Sequence, residues 1–164
     1  MLRLAEGITD ILLEFYREHL PAKVAELNAS HSGPVRLKAP QMGAYHAGEL
    51  KLVDNIDYPK VFVLPQSTTL RGVYGPDWVD ATHEVQIVVA VKGDNLEVLR
   101  RQLYRYVVAL WELLVQDFFG RARDDYATEG ETTITYELDN PLQTTQPYIG
   151  RAILNVPFTK QEFG

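Results

Sequence analysis

Apolar residues change their spacing once between Thr82 and Phe119, and that change predicts the two elements around which the chain is organised. Val85, Ile87, Val89 and Val91 recur at period two, so they share one face of a strand. From Asp94 the interval becomes three or four residues. Leu96, Leu99, Leu103, Val107, Leu110 and Leu114 draw an apolar stripe along about seven turns of α-helix, ending at Phe119. Lys92-Gly93 supplies the turn between the two. Asp94 with Glu97 predicts a capping box at the helix start, and Gly120 suits the left-handed position after its end. Glu97 and Arg101 stand at i,i+4 in the favourable order for an ion pair.

The rest of the chain is read the same way. Ile8, Leu12, Phe15, Tyr16, Leu20, Val24 and Leu27 predict a helix from Leu2 to Leu27. Pro21 removes a helical hydrogen bond and crowds the preceding turn, which predicts a kink near Leu20 or a fresh helix begun at Pro21. Asn28 to Gly33 is turn chemistry. Pro34 to Tyr58 is irregular, with Leu50, Leu52 and Val53 as a candidate strand edge. Tyr58 to Pro65 predicts a short strand cut sharply by its prolines, Val61 and Val63 on one face, Phe62 and Leu64 on the other, both faces covered. Gln66 to Asp80 predicts a long loop or hairpin bearing Tyr74, Trp78 and Val79. Thr133, Thr135 and Glu137 alternate with Ile134, Tyr136 and Leu138, the pattern of a strand with one buried face. After a turn at Asn140-Pro141, Ala152, Leu154, Val156 and Phe158 form the buried face of a last strand, long enough to pair with the one before it. This order predicts one α+β domain over residues 1–164. Its mostly antiparallel sheet packs against an N-terminal helix and a long central helix, with extended loops between.

Composition narrows the chemistry by exclusion. With 164 residues the chain can bury a sizeable core. It has no cysteine, so disulfides, thiolate metal sites and cysteine nucleophiles are ruled out. A net charge of -6 disfavours binding to nucleic acid by phosphate neutralisation. Much of that charge sits in one stretch, where Asp124, Asp125, Glu129, Glu131, Glu137 and Asp139 follow Arg121 and Arg123. The N-terminus lacks the pattern of a signal peptide. The longest apolar stretch, Tyr106 to Val115, carries Glu112 and is too short to span a bilayer core of about 30 Å. A soluble, intracellular protein is expected.

No stretch frames a reaction. His19, His31, His46 and His83 are scattered without metal-ligand spacing, and read as surface or partner-satisfied residues. Asp124, Asp125, Glu129 and Glu131 lack the spacing of a calcium loop and read as a solvated acidic segment. Gly93 stands before a helix without the companion glycines of a phosphate loop, and Ser30, Ser32 and Ser67 have no evident base. Catalytic residues, cofactors and bound metals are therefore not expected, and neither is an enzyme. Arg100, Arg101 and Arg105 lie off the apolar stripe and could continue into a cationic strip with Arg121 and Arg123; a solvated helix face is the plainer reading, and an acidic neighbouring subunit the alternative. Tyr74 and Trp78, exposed aromatics on a loop, are candidate contacts with another chain together with Arg71 and Tyr148; Trp78 would serve equally as a cap on the core.

The helix ITDILLEFYREHLPAKVAEL, the run YPKVFVLP, the strand and helix HEVQIVVAVKGDNLEVLRRQLYRYVVALWELL and the closing YIGRAILNVPFTKQEF together resemble the tail terminator family of long-tailed bacteriophages, small neck or tail-completion proteins. The resemblance implies a structural virion protein: a ring, usually of six copies, at the head-proximal end of the tail, which stops tail-tube growth and joins tail to head. Its partners would be further copies of itself, the tail tube protein and the head-tail connector or stopper protein. DNA would pass through without specific binding, and no membrane or reaction would be involved. The protein would reside in the virion, and in the host cytoplasm during assembly. In such a ring Asp124, Asp125, Glu129 and Glu131 would line the channel or lie between subunits, since a negative lumen repels passing DNA. Tyr74 and Trp78 would meet another chain. The alternatives are another phage neck or head-completion protein, a small ligand-binding domain with Tyr74, Trp78 and Trp111 around a pocket, and a hydrolase or nuclease using the carboxylates from Asp124 to Glu131.

Overall fold

The computed structural model describes residues 3–48, 58–73, 78–120, 125–139 and 148–163. The first helix, α1 (Leu4–Ser30), runs through Pro21 as one element rather than two meeting there. Pro21 forfeits the bond to the Arg17 carbonyl, but Tyr16, Leu20, Val24 and Leu27 are all buried along one side and hold both halves against the same core. Asn28 then takes over from the helix: its side chain exchanges two hydrogen bonds of 2.8 Å with the backbone of Leu37. A single turn at Met42–Ala44 leads into β1 (Tyr45–Ala47). Three residues are too few for a period of two to declare itself, so the sequence pattern does not reveal this strand. Leu50, Leu52 and Val53 lie outside the described residues.

The next two strands, β2 (Lys60–Val73) and β3 (Trp78–Gly93), form a long hairpin. Of the two readings of Gln66 to Asp80, the hairpin is therefore the right one, and most of that stretch is strand. The β2–β3 register shifts between Pro65 and Ser67, where a residue without an N–H is best tolerated. Beyond β3 come α2 (Leu96–Leu113), a wider π turn (Leu114–Phe118), β4 (Thr133–Asp139) and β5 (Tyr148–Phe163). The sheet order is β1-β2-β3-β5-β4, with β1–β2 parallel and the other pairs antiparallel. This is an α+β fold with a mostly antiparallel sheet.

The start of α2 differs from the expected capping box. Asn95 is the N-cap, its side chain accepting from the Val98 amide at 3.1 Å, because Asn95 holds the extended conformation that the cap position requires. Glu97 consequently falls one position early for a box and pairs with Arg101 at 3.4 Å. The regular helix is also shorter than its apolar stripe, since the last turn widens. The Phe119 amide reaches back five residues to the Leu114 carbonyl at 2.9 Å, and Gly120 follows with φ +84°.

Both helices lie on the sheet face that carries Val61, Val63, Val85, Ile87, Val89, Ala152, Leu154 and Val156. Phe62, Val88, Ala90 and Ile153 make a second, smaller cluster on the opposite face, so the strand of Phe62 is covered on both sides as its pattern predicts. One expectation fails at the sheet edge. Tyr136 shares its strand face with Ile134 and Leu138 yet is 48% exposed, because β4 is an edge strand and α2 covers only part of it.

The two helices are tied by polar bonds sunk between them. Tyr16 donates to the Leu110 carbonyl at 3.0 Å, and the buried Lys23 ammonium meets Glu112 at 2.6 Å. Tyr106 accepts from the Lys38 amide at 2.9 Å and donates to the carbonyl of the same residue, fixing the irregular segment onto α2. Burial pushes the Tyr16 phenol well above its usual range, and raises Tyr45 and Tyr106 to about 12. The sign of the linkage follows. Above pH 10 the unfolded chain releases these protons while the folded chain keeps them, so the unfolded state binds fewer and stability falls as pH rises. Urea midpoints should therefore drop steeply between pH 10 and 12, by up to about 1.4 kcal/mol per pH unit for each group. Absorbance reporting all nine tyrosines as phenolate in a protein that is still folded would contradict this.

Candidate functional site

Two charged surfaces of opposite sign lie along the β4–β5 pair, one around the opening turns of α2 and the other where the acidic segment is bonded to Thr159. The first is built on the opening turns of α2. The stripe that faces the sheet leaves Glu97, Arg100, Arg101, Tyr104, Val108 and Val115 outward, and all are exposed. Tyr104, Val108 and Val115 are 50%, 42% and 51% exposed, so this helix carries apolar side chains on its solvent side as well. Tyr104 packs edge-on against Tyr136 of β4 with ring centroids 5.1 Å apart. An open groove of about 490 Å³ is lined by Leu96, Glu97, Arg100, Arg101 and Tyr104. A second, of about 240 Å³, runs between α2 and β4, where Arg100, Tyr104, Tyr136 and Glu137 line it.

The arginines of this surface are not equivalent. Arg105 is turned inward and donates to the Val35 carbonyl at 2.7 Å, so it holds the chain after α1 rather than facing a partner. Arg101 is shared with Glu97. Arg100 is exposed, and among the described residues no ion pair or hydrogen bond engages it. Arg121 and Arg123 lie outside the described residues.

The acidic surface follows α2. Tyr126 is buried against Phe118 and Phe158, and Ala127 exchanges backbone hydrogen bonds of 2.9 and 2.8 Å with Thr159 of β5. These contacts pin the segment to the far end of β5 and leave its acids outside. Asp125 pairs with Lys160 at 3.1 Å. Glu129 and Glu131 are exposed, and among the described residues neither has an ion-pair partner. Asp124 lies outside the described residues. The sequence thus places Asp125, Glu129 and Glu131 correctly on one exposed segment, while the lysine opposite Asp125 becomes visible only once β5 is paired.

The aromatic candidates are spread along the sheet. Arg71 is exposed near the end of β2, opposite Asp80 in register. Trp78 opens β3, its backbone paired with Phe163, and Tyr74 lies outside the described residues. Tyr148 opens β5 opposite Gly93, half-buried and packed against the main core. Trp111 is likewise packed partly against the core. Tyr74 and the Trp78 side chain lie outside the described residues, and with them the pocket expected around Tyr74, Trp78 and Trp111.

One polar cluster is absent from the sequence reading. His83 is completely buried in β3, with Thr68 Oγ1 2.9 Å from Nδ1 and Glu162 Oε1 3.5 Å from Nε2. Continuing the period of Val85, Ile87 and Val89 backwards reaches His83, so the signal was present. Hydroxyl, imidazole and carboxylate stand in the order of a nucleophile, base and orienting acid. Full burial of the ring leaves no place for a reacting group at its nitrogens, and the three side chains act as a tie across β2, β3 and β5. Among the described residues no three His, Asp or Glu side chains converge as metal ligands, and no helix is long and apolar enough to cross a membrane. Set against models of known protein families and against characterised proteins, the sequence matches none.

Proposed function

We propose that this protein is a structural subunit of a long-tailed phage, a tail terminator whose copies form a ring at the head-proximal end of the tail. The observation that carries the reading is the outward row Tyr104, Val108 and Val115 on α2 and its closing turn, with Tyr136 beside it: exposed apolar side chains, of which Tyr104 and Tyr136 line open grooves, suited to a protein neighbour. The quoted likeness to tail terminators supplies the kind of assembly. In that setting the ring, of six copies, meets the tail tube protein on one side and the head-tail connector or stopper on the other. The protein works without catalysis or cofactor, in the host cytoplasm during assembly and in the finished virion. Asp125, Glu129 and Glu131 serve the channel wall or a subunit contact. A channel wall of that sign repels the phosphates of passing DNA. Another neck or head-completion protein would use the same surfaces in the same way, and position within the particle separates the two.

Imaging of native particles together with mass measurement of the purified protein at high concentration tests the proposal. The expected result is a closed ring at the tail's upper end and a multiple of the 18.6 kDa chain mass in solution. A strict monomer that is absent from particles would sink it.

A further inference from the structure

We propose that the α2 surface centred on Arg100 and Tyr104 receives the acidic segment Asp125–Glu131 of a second copy, so that subunits join head to tail. This rests on the ring reading and names the surfaces that would make it. Three observations meet here. Arg100 is exposed and, among the described residues, unpaired; it adjoins Arg101 and the grooves of about 490 and 240 Å³. Glu129 and Glu131 are exposed and, among the described residues, equally unpaired, on a segment whose backbone is anchored by Ala127 and Thr159. The two surfaces are displaced from each other on one chain. Tyr136, packed on Tyr104, pairs with Ala152, whereas the acidic segment is bonded at Thr159. Seven residues of β5 separate those points, roughly 23 Å at the rise of a strand.

Patches so displaced do not satisfy each other within one subunit, which leaves each for a neighbouring copy. The ring reading makes that contact heterologous, basic patch on acidic segment from copy to copy, closing when the rotation closes. The charges provide steering and register, and Tyr104, Tyr136 and Val108 provide the apolar area that a charged contact alone lacks.

Charge reversal on exposed residues tests this without touching the core. One variant carries Arg100→Glu with Arg101→Glu, the other Glu129→Arg with Glu131→Arg; circular dichroism establishes that both fold. Analytical ultracentrifugation then compares wild type, each variant, an equimolar mixture and a chain carrying all four changes. The expected result is an oligomeric wild type, each variant alone weakened at least tenfold, and association restored in the mixture and in the fourfold variant. Restoration is the decisive arm, because loss alone would also follow if the reversed charges disturbed a different contact between copies; loss without restoration overturns the proposal. Variants that assemble as wild type does overturn it too, while leaving the ring intact. A wild type that stays monomeric at the highest concentration overturns the interface, and the particle images then decide the ring separately.

Discussion

Truncation of Phe118 to alanine is expected to lower stability by about 3–5 kcal/mol, the range for removing a fully buried aromatic ring. Phe118 has no exposed surface, and it sits in the π turn where the rings of Phe15, Phe119, Tyr126 and Phe158 converge at centroid distances of 5.1, 5.3, 5.9 and 5.8 Å. The neighbours come from α1, the turn itself, the acidic segment and β5, so no single element can move in to fill the space. Urea unfolding measures the effect. A loss below about 1 kcal/mol would mean that the cluster collapses onto the cavity and that its packing is less constrained than these distances imply. The functional consequence is local. Tyr126 loses its main support, and the anchoring of Glu129 and Glu131 should loosen before the rest of the fold does, visible as faster hydrogen exchange at Ala127 and Thr159.

Substituting Gly150 should disturb the other end. A Cβ built there would stand 2.5 Å from Leu99 Cδ2, 2.9 Å from Leu103 Cδ1 and 3.3 Å from Leu138 Cδ2. The first two belong to α2 side chains with no room to swing, Leu99 being fully buried and Leu103 1% exposed. At Gly150 the leucines of α2 therefore fill the space that a side chain on β5 would need. Overpacking of this kind costs about 1–3 kcal/mol, with Gly150→Ala towards the low end and Gly150→Val at about 3 kcal/mol. If the clash is the cause, removing volume opposite should relieve it: Gly150→Ala with Leu99→Val should be more stable than the sum of the two single changes predicts. Strict additivity would show that the helix had simply shifted. Because Leu103 and Leu138 also flank the groove between α2 and β4, the same substitution should separate Tyr104 from Tyr136 and weaken any partner held there.

These two positions show how unevenly the molecule can be read from its sequence. The strand and helix around Lys92-Gly93 were legible because each buries one face, and a buried face imposes its own period on the residues that fill it. The long last strand was legible for the same reason. Gly150 was not, since a glycine within a strand looks alike whether it faces solvent or the packed leucines of a helix. Tyr136 followed the period of its strand but not its burial, because the outcome depends on how far α2 extends across the sheet edge. The cap of α2 turned on one residue, Asn95 in place of Asp94, as two adjacent side chains both able to cap are told apart only by backbone conformation.

The candidate surfaces divide in the same way. Acidic residues crowded into one stretch are visible in any sequence, and so are arginines off an apolar stripe. Which of them remain available is a question of pairing across distance. Arg105 is committed to Val35 and Asp125 to Lys160, while Arg100, Glu129 and Glu131 are left over among the described residues. The class of fold, the faces of the main elements and the absence of cysteine chemistry can be read from the residues alone, because periodicity and composition are local properties. The sheet order, the burial of His83 and Gly150, and the placing of a basic and an acidic surface along the β4–β5 pair follow from the folded chain. Those depend on contacts between residues far apart in the chain, and no local pattern records which side chains will meet.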